Sequence, residues 1–354
     1  SNTTCTQSQA GSATITINPL PEATISGTTT VCKDDASPAV TFTGSSGLAP
    51  YTFVYRINGG SNQTVTTNAG NSISVYAPTG VAGVYNYELV SVSDASVTHC
   101  SQVQEGSAIV TVSPLPTATI SGTTSVCRDA PSPNVTFTGS SGTAPYTFTY
   151  TINSGDPQTV TTSSGNSVSV AVPTATAGTY TYALVGVEDS SPSTCSQTQT
   201  GSATITVVQL PSATISGTTE VCRYDTYPNI TFTGSQGTAP YTFTYTINGG
   251  SDQTVTTSES NSATIPVPTG TPGTYVYELV SVQDAGATSC EQAQEGSAIV
   301  TVNPLPTATI SGTTEVCRYD PSPEVTFTGS SGTAPYTFTY TINRDSCCVV
   351  KVIQ

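Results

Sequence analysis

The sequence predicts an all-β protein, a series of immunoglobulin-like antiparallel β-sandwiches joined in tandem by short Pro-rich linkers. Three observations carry that expectation. Cys32, Cys127, Cys222 and Cys317 stand 95 residues apart, and so do Cys5, Cys100, Cys195 and Cys290; a period of that length lets each repeat bury a core of its own. Val, Ile, Leu, Tyr and Phe alternate with Thr and Ser at period two, the pattern of half-buried strands. Gly, Pro and Asn-Gly signals break these runs at the short intervals of a sandwich.

Laid on that period, the 354 residues read as the end of a preceding repeat (1–18), three whole repeats (22–113, 117–208 and 212–303) and the opening half of a further one (307–354). The first segment, SNTTCTQSQAGSATITINPLP, matches STCSQTQTGSATITVVQLP at 193–211. With no initiator Met and no signal peptide, the chain is expected to be an internal slice of a longer array. No apolar run is long enough to cross a membrane. The tail RDSCCVVKVIQ (344–354) departs from the repeat.

In the first whole repeat, ATISG (23–27) is expected as an opening strand, followed by a connection through TTTVCKDDASP. AVTFTG (39–44) alternates Val40 and Phe42 inward against Thr41 and Thr43 outward. SSGLAP forms a turn, and YTFVYRI (51–57) puts Tyr51, Phe53, Tyr55 and Ile57 on one face. Asn58-Gly59-Gly60 is a tight-turn signal leading to the hairpin partner QTVTT (63–67). ISVYAP (73–78) follows, ended by Pro78, which cannot donate to a ladder. VYNYELVSV (84–92) and SAIVTV (107–112) complete seven strands. Tyr85 stands where a tyrosine corner would pin the preceding loop, and Tyr180 and Tyr275 hold the same register. The chain has no Trp, so Phe53, Phe148 and Phe243 are expected in the core position a Trp usually takes. Pro19-Leu20-Pro21, Pro114-Leu115-Pro116 and Pro304-Leu305-Pro306 favour extended backbone and act as short, semi-rigid spacers.

The charge excludes several functions. With 22 acids against 7 bases and a net charge of −15, the chain is a poor partner for nucleic acid or an anionic membrane. The single histidine, His99, falls in register with Thr4, Thr194 and Ser289. It reads as a loop substitution, which leaves a hydrolase triad without its base. The acid pairs Asp34-Asp35 and Glu188-Asp189 suggest Ca²⁺ at a domain junction, but they lack calcium-loop spacing and shift between repeats, so solvated surface is the better reading. No catalytic, cofactor or metal residue is expected, and the chain is not expected to be an enzyme.

The phrases PLPTATISGTT, VTFTGSSGTAPYTFTYTIN, QTVTT, GTYTY and GSATITV recur along residues 1–343. In these the chain resembles the tandem Ig-like (PKD-like) repeat regions of giant Bacteroidetes cell-surface proteins. The resemblance implies an extracellular or cell-surface protein of adhesion, gliding or matrix, whose repeats serve as spacer and do not identify a ligand.

Cysteines in regular register, without CxxC pairs in the repeats and without a nearby base, are expected to form disulfides rather than metal sites or reactive thiols. Two pairings are open. Pairing within a repeat, Cys32–Cys100, Cys127–Cys195 and Cys222–Cys290, is favoured. Immunoglobulin topology places the two cysteine loops at opposite poles, which argues instead for the staggered pairs Cys32–Cys195 and Cys127–Cys290. The expected function is structural: the stalk or filament of a bacterial surface adhesin or fibre, its partners being neighbouring repeats, copies of the same chain, and a polysaccharide or cell surface. Head-to-tail donation of the spare strand Gly11–Ile17 is one route to a fibre. The alternative is a carbohydrate- or surface-binding module using the inter-strand loops, with Tyr224, Tyr227 and Tyr319 as aromatic candidates.

Overall fold

The structure, a computed structural model, describes residues 2–342; the divergent tail 344–354 lies outside the described residues. The first whole repeat has nine strands: β1 (Glu22–Ser26), β2 (Thr29–Cys32), β3 (Ala39–Ser45), β4 (Thr52–Ile57), β5 (Gln63–Thr66), β6 (Ser72–Tyr76), β7 (Gly83–Ser93), β8 (Ser101–Val103) and β9 (Ser107–Ser113). They form two facing sheets, β1-β3-β6 and β2-β9-β7-β4-β5, with β8 added to β7. This is an immunoglobulin-like sandwich rather than a closed barrel. The same nine strands recur as β10–β18 over 117–208 and β19–β27 over 212–303, followed by β28 (Thr307–Ser311) and β29 (Thr326–Ser330).

The described chain divides into two compact units. One comprises residues up to Thr123 with Pro133–Val172 and Tyr180–Ile205; the other comprises Thr124–Ser132, Pro173–Thr179 and the chain from Thr206.

All seven expected strands are present, and β2 and β8 are additional. Gly27 explains β2. Its φ of +116° turns the chain from one sheet to the other, and a Cβ there would stand 2.4 Å from the Ala39 carbonyl oxygen. After that turn TTVC lies parallel along β9, with Thr29 opposite Val110 and Cys32 opposite Ser113. Four residues at an edge carry too little alternation to be read as a strand.

The core of each sandwich is aromatic. Phe42, Phe53, Tyr51, Tyr55 and Tyr87 are buried in the first repeat, and the Phe42 and Phe53 rings stack 5.6 Å apart. Phe53, Phe148 and Phe243 are all fully buried. Tyr51 does more than fill space. Its hydroxyl donates to the Gly47 carbonyl at 2.7 Å and accepts from the Gly47 amide, tying the Ser45–Pro50 turn to the core. Its ring lies over Gly44, where a Cβ would come within 2.5 Å of it. The pairing Gly44–Tyr51 recurs as Gly139–Tyr146 and Gly234–Tyr241 with the same close approach.

Candidate functional site: the junction between repeats

The two cysteine loops sit at opposite ends of the sandwich. Cys32 ends β2 beside Ser113, the last residue of β9, so it lies at the repeat's C-terminal pole. The strand β7 runs antiparallel to β9, with Gly83 opposite Val112. Its far end, and Cys100 beyond it, therefore lie at the N-terminal pole. Seven residues of β9 separate the poles by roughly 20 Å, whereas bonded cysteines need Cα atoms no more than about 7 Å apart.

The favoured pairing within repeats, Cys32–Cys100, Cys127–Cys195 and Cys222–Cys290, is therefore not adopted. The bonds are Cys32–Cys195 and Cys127–Cys290, with Cα–Cα distances of 5.6 and 5.7 Å and a sequence separation of 163 in each. Each joins one 95-residue register to the next. Cys100 and Cys222, together with Cys5 and Cys317, are unbonded.

At the C-terminal pole, the turn after Cys32 is held from three sides. The Lys33 amide donates to the Ser113 carbonyl, and the Asp34 amide to the Thr79 carbonyl, with Asp34 at a φ of +66°. The Thr79 hydroxyl donates to the Asp35 carbonyl at 2.6 Å, and the Asp35 carboxylate accepts the Cys32 amide at 2.9 Å. Thr174 and Thr269 do the same for Ala130 and Asp225. These threonines are buried.

The other cysteine is presented by a buried carboxylate. Asp189 Oδ1 accepts the Cys195 amide at 2.9 Å and the Ser191 hydroxyl at 2.7 Å, while its Oδ2 accepts the Thr143 amide at 2.9 Å. The Asp189 amide donates back to the Cys195 carbonyl. Asp284 holds Cys290 and Thr238 in the same way. In the first repeat Asp94 accepts from Ser96 and Leu48. The Ser96 hydroxyl bond, joined by backbone amides and opposed by burial, holds its carboxyl below its ordinary value of 3.8.

Asp189 is thus not the solvated surface acid that the sequence suggested. It is 3% exposed, and both its oxygens are taken up by N–H and O–H donors. Among the described residues, no three His, Cys, Asp or Glu side chains gather to hold a metal ion.

The remaining sequence candidates fall elsewhere. The Tyr85 and Tyr275 hydroxyls donate to the carbonyls of Val81 and Thr271, four residues upstream, at 2.9 and 3.0 Å. Tyr180 stands at the same register on β16 (Gly178–Asp189). His99 adopts a φ of +47° in the turn its amide closes onto the Ser96 carbonyl, as Thr194 and Ser289 do with their own loops. Tyr224, Tyr227 and Tyr319 are exposed, and Arg223 and Arg318 lie over the Tyr224 and Tyr319 rings at 4.5 and 4.9 Å. Sequence reasoning missed the Asp94, Asp189 and Asp284 register and the threonines. The one signal available was their recurrence at 95 residues beside each cysteine loop.

No protein-family model matches the chain, and no curated protein matches it. Among solved structures, the chain is similar to a 1.5-MDa bacterial ice-binding adhesin (14% identity, covering 80% of this chain and 99% of that one, TM-score 0.40). It is also similar to a Ca²⁺-stabilized, ice-binding adhesin of an Antarctic bacterium (20% identity, 82% and 76% covered, TM-score 0.40). A third is invasin, a bacterial integrin-binding protein (16% identity, 83% and 62% covered, TM-score 0.34). Likeness at this level decides nothing about function, which rests on the chain's own residues.

Proposed function

We propose that the chain is an extracellular structural spacer, part of the stalk or filament of a bacterial surface protein of adhesin type. In this reading the repeats 22–113, 117–208 and 212–303 are the folding units, the Pro-rich segments link them, and neighbouring repeats are their principal partners. The observation that carries it is the interleaving of the two bridges. Cys127 lies between Cys32 and Cys195, and Cys195 lies between Cys127 and Cys290, so consecutive registers are covalently chained. Such bonds persist in an oxidising setting outside the cell. The resemblance of the repeats to giant surface proteins supports the same reading.

A spacer chained in this way has a limited reach under load. With both bridges closed, the shortest covalent path between residues 22 and 303 runs through 32, 195, 127 and 290. That path is about 90 residues instead of about 280, or roughly 300 Å fully extended against 950 Å at about 3.4 Å per residue. Single-molecule stretching should find the oxidised chain stopping at about a third of the length reached after reduction. An oxidised chain that extends as far as the reduced one would remove the bridges' mechanical role.

A further inference from the structure

The four bonded cysteines divide the backbone into three intervals, 32–127, 127–195 and 195–290, while the bridges tie 32 to 195 and 127 to 290. A break in one interval leaves both bridges and two intact intervals. A break in two still leaves one, and with the bridges that single interval connects all four cysteines. Only when all three intervals are broken does residue 32 lose its covalent connection to residue 290.

Each interval carries one copy of the same exposed turn. In the first repeat, residues 68–71 cross from β5 in one sheet to β6 in the other, and 163–166 and 258–261 do so in the next two. All twelve residues are exposed, and exposed tips of small polar residues are where endoproteases nick a folded chain. Both ends of the turn are pinned. The buried Thr67 hydroxyl accepts the Tyr51 amide at 2.9 Å, and the Thr67 amide donates to the Tyr51 carbonyl. Beyond the tip, the Asn71 carbonyl accepts the Gly44 amide at 2.8 Å. Thr162 with Asn166, and Thr257 with Asn261, repeat these bonds. A cut between the pins leaves every strand pair of the sandwich in place.

We propose that the array is a tether that survives proteolysis. Endoprotease cleavage of the turn 68–71, 163–166 or 258–261, in any one or two repeats, leaves the sandwiches folded and the chain covalently continuous from residue 32 to residue 290; only cleavage in all three parts it. Each cut adds one water across one peptide bond, giving a carboxylate on one side and an amine on the other. The disulfides take no part in it. A chain bridged only within its repeats would instead part at a single cut in either linker between them.

This tolerance rests on the spacer reading and adds what happens when the spacer is cut. The test uses the 354-residue chain with the recognition sequence of a site-specific endoprotease inserted after Gly70, Gly165 or Ser260, singly, in pairs and all together. The chain is cut while folded, and its free thiols are alkylated before denaturation to stop exchange. On a non-reducing denaturing gel, single- and double-cut chains should each run as one covalent species. The triple-cut chain should run as two, one carrying the Cys32–Cys195 peptide and the other the Cys127–Cys290 peptide. Reduction should release two, three and four fragments. Cut chains should keep their β-sheet circular dichroism and a cooperative melting transition, and a C32S/C195S chain should part after the Gly70 cut alone. A single-cut chain that keeps both interleaved bridges but loses its cooperative transition, or turns cut only after denaturation, would overturn the proposal and leave the spacer reading standing. Single-cut chains that part without reduction would overturn it together with the bridge pattern that carries that reading.

Discussion

Asp189 decides more at the N-terminal pole than any other single residue there. Four donors, the amides of Thr143, Ser191 and Cys195 and the Ser191 hydroxyl, converge on one buried carboxylate. Asp189→Ala leaves them without an acceptor, and buried unsatisfied donors cost about 1–3 kcal/mol each. We expect a loss of roughly 3 kcal/mol in unfolding free energy by urea titration, together with slower closure of Cys32–Cys195 followed by thiol alkylation. Asp94, its counterpart in the first repeat, predicts a pH dependence. Its carboxyl is held below 3.8 when folded, chiefly by Ser96. Its contribution is therefore present above the ordinary value and lost as the pH falls through the lowered one. Urea midpoints measured from about pH 5 down to about pH 2 should fall for the natural chain, and Asp94→Asn should flatten that fall.

At the scale of elements, the recurring unit is a strand, a turn and the tyrosine that locks them. Gly139 in β12 (Asn134–Ser140) lies under the Tyr146 ring at the start of β13 (Tyr146–Ile152), and Tyr146 in turn bonds both polar groups of Gly142. A methyl on Gly139 would stand 2.6 Å from a ring that the core holds in place. Gly139→Ala should therefore cost about 1–3 kcal/mol through overpacking, read as a lower melting temperature with unchanged β-sheet circular dichroism. An unchanged melting temperature would mean that the ring has room to move. The period-two pattern made these strands legible, because each is long enough to alternate. The glycine's role was not legible, because nothing local says which ring will cover it.

At the scale of the whole molecule, covalent connectivity is the governing fact. Bridges of 163-residue separation restrict the unfolded chain by roughly 5 kcal/mol each in the chain-entropy model. Reduction should lower the thermal midpoint while the sandwich cores, which contain no bonded pair of their own, stay folded below it. Far-UV circular dichroism with and without reductant checks this; a reduced chain that is unfolded at room temperature would show that the bridges, not the aromatic cores, hold the repeats.

The sequence by itself determined the period, the seven main strands and the aromatic core positions. All of these follow from local alternation or from recurrence, which a linear text displays. The tertiary structure alone decided the disulfide partners, the burial of Asp189 and the existence of β2. Each depends on which pole of the sandwich a segment reaches, and that is set by a four-residue strand lying parallel to one 81 residues further along the chain. A pairing so distant leaves no periodic trace in either segment, so the choice between bonding within a repeat and bonding across two became readable only once the chain was folded.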